Sequence, residues 1–117
     1  MTLEEIINNI YDLDLSSIQI NDERKFINDI IKNFLSHNWE SSNANDDNYI
    51  HIKCNKCKIS TILYTKTFCN FYGILSFFLS YRDSTESLPL AIRYFRGTKH
   101  YWEGESCKSI IMRKACE

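Results

Sequence analysis

The apolar residues of this chain change their period part-way along. Leu3, Ile6, Ile7, Ile10 and Tyr11, and then Phe26, Ile27, Ile30, Ile31, Phe34 and Leu35, recur at intervals of three and four. Helices that bury one stripe need that spacing. From Tyr49 the pattern shortens: Ile50 and Ile52 share one face of Tyr49-Ile50-His51-Ile52-Lys53, as in a half-buried strand. A chain that spends its helices first and its strands afterwards lacks the alternation that parallel sheets require. The expected class is therefore α+β, built as a single domain over residues 1–117. A domain of this length buries roughly two-thirds of its unfolded surface, so it needs no disulfides to fold.

Local signals place the elements. Thr2 and Glu5 form a capping box, which predicts a first helix over residues 2–12. Asn21 caps a second, with Asp22 and Glu23 at its positive dipole end, running to about Asn38-Trp39. Residues 41–47 are polar and aperiodic, which predicts a loop and a hinge between an acidic helical part (1–40) and a basic β-rich part (48–117). Residues 49–53 and 58–66 are predicted strands joined by the tight turn Cys54-Asn55-Lys56-Cys57. Residues 71–81 are the most apolar stretch, interrupted by Ser76 and Ser80, and suit a buried strand or a buried helix; their aromatic content and their place after two strands favour a third strand. Residues 88–96, with Pro89 at an edge position, and residues 99–102 are expected as further strands around a Gly97-Thr98 turn. Ser106 caps a final helix over 106–116, with Ile110 and Ile111 expected to be buried. The expected architecture is two N-terminal helices, an antiparallel sheet of three to five strands with a Cys-x-x-Cys turn, and a C-terminal helix.

Five cysteines, Cys54, Cys57, Cys69, Cys107 and Cys116, form an odd set. The chain starts with acids where a secretory leader is basic, so reduced thiols and a cytoplasmic setting are expected. The 11-residue apolar run at 71–81 is too short to span a bilayer, which needs about 20 residues. Cys54-x-x-Cys57 at a strand-turn-strand suits a zinc knuckle, because the turn points two thiolates to one place. A structural zinc needs two more ligands. Cys107 and either Cys69 or His100 are the expected ones, with His51 a further candidate. Cys107 and Cys116 are nine residues apart, about 900° of helix, so they face opposite ways. An inert reduced pair and a thioredoxin-like redox pair are the competing readings. The redox pair needs a helix after the first cysteine, and residues 59–65 form a poor one.

With three glycines the chain has no Rossmann or Walker phosphate cradle, and it has no Gly-x-Ser-x-Gly. A non-enzymatic protein is therefore expected and no small-molecule substrate is indicated. A cysteine enzyme on Cys107, one residue past a helix cap, is the third reading after the two binding functions. The net charge of -1 hides a split: residues 1–47 carry ten acids and three bases, and residues 48–117 carry five acids and eleven bases. The acidic half suits a protein partner that otherwise meets nucleic acid. The segment containing Arg93, Tyr94, Arg96, Lys99, Tyr101 and Trp102 interleaves cations and rings. It suits a protein interface or, together with Lys53, Lys56 and Lys58, a nucleic-acid site. Abundant Ile, Asn and Lys point to an AT-rich genome, such as that of a phage, a large virus or a mobile element. The leading expectation is an intracellular interaction protein that binds a protein partner, such as a regulator or inhibitor of a host defence protein. A zinc-knuckle nucleic-acid binder is the alternative.

Overall fold

The computed structural model describes residues 2–41, 48–82 and 101–116. Helix α1 (Leu3–Tyr11) is capped by Thr2, whose side chain accepts from the Glu5 N–H. A 3-10 turn at Leu15–Ser17 leads to α2 (Asn21–Leu35), which buries Ile27, Ile30, Ile31 and Phe34. The cap residue of α2 is Ile20, and Asn21 is already helical. The helix stops at Leu35, short of the expected end, because Trp39 opens a strand. Strands β1 (Trp39–Ser41), β2 (Tyr49–Cys54) and β3 (Ser60–Tyr64) form an antiparallel sheet in the order β1-β2-β3. The class is α+β, as expected.

The register fixes two different faces. Ile50, Ile52 and Cys54 of β2 alternate with Tyr49, His51 and Lys53 and turn inward. Thr61 and Leu63 of β3 lie opposite Ile52 and Ile50 and are buried with them. Trp39 sits opposite Cys54 on the same inner face. These residues join one apolar cluster with Ile6 and Ile10 of α1, the α2 stripe, Phe68, and Trp102 and Ile110 from the C-terminal part.

Residues 71–79 overturn the expectation of a strand: they form helix α3 (Phe71–Leu79). Asn70 caps it by accepting from the Gly73 N–H at 2.7 Å. Its buried residues, Ile74 and Phe78, lie four apart, which is helical spacing. Gly73 allows the helix to approach the preceding 3-10 turn (Thr67–Cys69): a Cβ there would lie 2.2 Å from the Thr67 carbonyl oxygen. The last helix, α4 (Cys107–Ala115), is capped by Ser106 as expected. It buries Cys107 and Ile110, whereas Ile111, expected in the core, is 44% exposed. The two isoleucines are consecutive, about 100° apart around the helix axis, so a nine-residue helix lying on the surface covers only one of them. The strand expected over 88–96 and the Gly97-Thr98 turn lie outside the described residues. So do residues 42–47, where a hinge loop was expected.

Candidate metal centre

Four buried side chains converge beneath the β2–β3 turn: His37, Cys54, Cys57 and Cys107. Their ligand atoms all lie within 4.8 Å of one another. Each comes from a different local device.

Cys54 ends β2, and Cys57 closes the turn that follows. The Cys54 N–H donates to the Ile59 carbonyl at 2.9 Å, and the Lys58 N–H donates back to the Cys54 carbonyl at 3.0 Å. Lys58 takes φ +68° to close this turn, a left-handed conformation in which a side chain is uncommon. The tight turn leaves backbone N–H groups aimed at sulfur. The backbone N–H groups of Cys57, Lys56 and Asn38 all act on Cys54.

His37 follows the end of α2 and is held on both sides. Its ring lies 4.7 Å from that of Trp39 and 6.3 Å from that of Trp102. Its Nε2 is 2.9 Å from the Glu105 carbonyl oxygen. A carbonyl only accepts, so Nε2 carries the hydrogen and Nδ1 keeps its lone pair. That lone pair points at the thiols, with Nδ1 3.3 Å from Cys57 Sγ. A metal-binding imidazole is oriented in the same manner, by a hydrogen bond from its other nitrogen. Trp102 Nε1 donates to the same Glu105 carbonyl at 2.7 Å, fixing the acceptor that fixes the histidine.

Cys107 opens α4. Its N–H donates to Ser36 Oγ at 3.0 Å, and its sulfur lies 3.8 Å from Cys54 Sγ. The approach to α4 turns at Gly104, at φ +96°, where a Cβ would stand 3.0 Å from Ile30 Cδ1. Asn33 Nδ2 donates to the Gly104 carbonyl at 2.9 Å. Lys114, at the far end of α4, donates to the Cys57 carbonyl at 2.6 Å, so the helix runs alongside the turn.

The electrostatics of the thiols by themselves are frustrated. Burial raises the Cys54 thiol, but the donors around its sulfur outweigh burial and bring it to about 6. Burial pushes Cys57 up to about 12, with the neighbouring Cys54 adding to the shift. Burial raises Cys107 as well, again with Cys54 adding. One thiolate therefore excludes two more, because like charges in a buried space oppose each other. A divalent cation reverses that logic and lets all three ionise. The geometry fits one: sulfurs bonded at about 2.3 Å in a tetrahedron stand about 3.8 Å apart, which is the Cys54–Cys107 separation.

Of the residues singled out from sequence, Cys54, Cys57 and Cys107 come together here. Cys69 does not. It is exposed, and its thiol donates to the Thr65 carbonyl at 3.2 Å, in the 3-10 turn before α3. His51 sits on the outer face of β2, whereas the thiols of Cys54 and Cys57 are on the inner side. His100 lies outside the described residues, as do Arg93, Tyr94, Arg96 and Lys99. Tyr101 and Trp102 are buried. The Trp102 ring packs edge-on against Phe34, and the Trp102 backbone N–H donates to the Ser60 carbonyl at 2.8 Å.

His37 was absent from the sequence-based ligand set. Its signal was positional: the histidine sits at the end of a helix, just before Trp39. That signal has meaning only once β1 is known, because the pairing of Trp39 with Cys54 is what brings the end of α2 beside the cysteine turn. No protein-family model, curated protein or solved structure matches the chain. The functional reading therefore rests on this geometry.

Proposed function

We propose that the protein is a small, non-enzymatic interaction module whose fold is closed by one structural zinc ion. The supporting observation is the ligand set itself: three thiols and one correctly presented imidazole, none more than 6% exposed. Soft sulfur donors with one nitrogen favour zinc over hard cations such as magnesium or calcium. Four protein ligands fill the tetrahedron, whereas a catalytic zinc keeps one position for water or substrate. The metal's role is to tie α4 to the sheet and to the end of α2.

A protein partner is the reading favoured for the acidic helical part. Tyr11 and Ile20 are 67% and 64% exposed there, beside Asp12 and Asp14 and beside Asp22 and Glu23. Apolar anchors among carboxylates suit a basic protein surface, and a protein that otherwise holds nucleic acid is one such partner.

Untagged protein should carry about one zinc per chain by elemental analysis. Cobalt substituted for zinc should show the ligand-field and thiolate bands of a tetrahedral site. Cys57→Ser and His37→Ala should each lower the melting temperature by roughly ten degrees or more, since structural zinc contributes directly to folding free energy. Metal-free protein with the wild-type melting temperature would overturn the zinc reading. For the partner, capture by wild-type protein should be lost when Tyr11→Ala is combined with Asp22→Asn and Glu23→Gln. Capture that survives those changes rejects this surface.

A further inference from the structure

The outer face of the β2–β3 hairpin carries rings at one end and cations at the other. Tyr49, His51 and Lys53 alternate outward along β2, and Tyr64 stands directly opposite Tyr49 on β3. The Tyr49 ring lies 5.3 Å from that of His51 and 6.3 Å from that of Tyr64, both edge-on. All three rings are half-buried, so they are held in place while keeping part of their surface open. At about 3.3 Å per residue, Lys53 stands roughly 13 Å along the strand from Tyr49. Lys56 follows in the turn, and both lysines are exposed. Among the described residues, Glu40 is an acid on this face, opposite Lys53 in the register, and Asn55 Nδ2 donates to its carboxylate at 3.0 Å.

We propose that this hairpin face binds single-stranded nucleic acid, with bases on the Tyr49, His51 and Tyr64 rings and phosphates at Lys53 and Lys56. The order of groups favours this ligand. Rings fixed on a sheet present flat surfaces to unstacked bases of any sequence, and cations placed further along the strand meet the backbone that links them. A duplex keeps its bases stacked and offers these rings nothing to hold. An acidic protein would use the lysines but has no need of the ring cluster. The proposal rests on the zinc reading in one respect only: the metal fixes the turn that carries Lys56, whereas the rings stand on the sheet.

The test uses the full, zinc-loaded chain and fluorescein-labelled oligothymidylate, with binding read by fluorescence anisotropy at about 50 and 200 mM salt. Two to three phosphate contacts predict a roughly seven- to twenty-fold loss of affinity between those salts, from a slope of about -0.7 per contact on single strands. Lys53→Gln with Lys56→Gln should flatten that dependence. Tyr64→Leu and Tyr49→Leu should each weaken binding by about fivefold or more, because stacking on the ring is lost. Both should leave zinc content and melting temperature near wild type. The matching duplex and polyglutamate should bind more weakly than the single strand. Absence of binding at low salt by a sample containing one zinc per chain would overturn this inference and leave the zinc reading standing. A sample without zinc that still binds the oligonucleotide through these residues would do the reverse. Equal binding of polyglutamate, or indifference to the tyrosine changes, would reduce the surface to a nonspecific cation patch and reject the proposal.

Discussion

Three thiols packed beside one imidazole cannot all hold charge without a cation, and this sets the pH behaviour of the site. At neutral pH Cys54 is largely ionised, with its pKa at about 6, while Cys57 and Cys107 are held protonated. Zinc needs all three as thiolates. Loading at pH 7.5 should therefore release about two protons per ion, measurable by calorimetry in buffers of different ionisation enthalpy. Lowering the pH through about 6 adds a third proton to displace, so zinc affinity should fall more steeply there. Release of no protons would mean that the thiols do not bind the metal. A different side chain is miscast at Thr61: its hydroxyl is buried and has no hydrogen-bond partner among the described residues. An unsatisfied buried hydroxyl carries its desolvation cost without return. Thr61→Val, which keeps the shape, should raise stability by about 1 kcal/mol in urea unfolding.

At the level of elements, propensity and packing disagree at Gly73. Glycine inside a helix normally costs roughly 1 kcal/mol relative to alanine, so Gly73→Ala should stabilise α3 if the helix stood alone. The Thr67 carbonyl, 2.2 Å from where the new Cβ would sit, reverses the sign. Gly73→Ala should destabilise the protein by about 1–3 kcal/mol, the range for overpacking, and a gain would show that α3 can move off the turn. The same tension explains what the sequence did and did not reveal. Helices α1 and α2 were legible because long periodic stripes with acidic first turns leave little choice. The β2–β3 hairpin was legible from its alternation. Helix α3 was not legible, because its seven apolar residues, in two aromatic pairs and around Gly73 and Ser76, show no clear period. The Asn70 cap and the four-residue step from Ile74 to Phe78 identify it once the neighbours are placed. Strand β1 is three residues long, too short for any period to show.

For the whole molecule, α4 is the element most dependent on the metal. It has nine residues, below the roughly 12–15 that an isolated helix needs for marginal stability. It buries only Cys107 and Ile110. Its other ties to the body include the Cys107–Ser36 and Lys114–Cys57 hydrogen bonds. Chelation should therefore free α4 before the sheet unfolds. Trypsin should then cut after Lys108, Arg113 and Lys114 much faster in chelator than in zinc, while hydrogen exchange in β2 changes less. Equal cleavage with and without metal would show that apolar packing alone holds the helix.

Sequence alone determined the class, the first two helices, the cysteine turn and the C-terminal cap, because each depends on neighbours a few residues away. It also exposed the charge split beneath a net of -1. Only the tertiary structure decided the fourth ligand. His37 lies 17 positions before Cys54, and nothing local links them. The link is a three-residue strand that places Trp39 against Cys54, a carbonyl at Glu105 that turns the imidazole, and a left-handed glycine that delivers Cys107. Those are long-range contacts, and their spacing along the chain carries no period for a sequence to display.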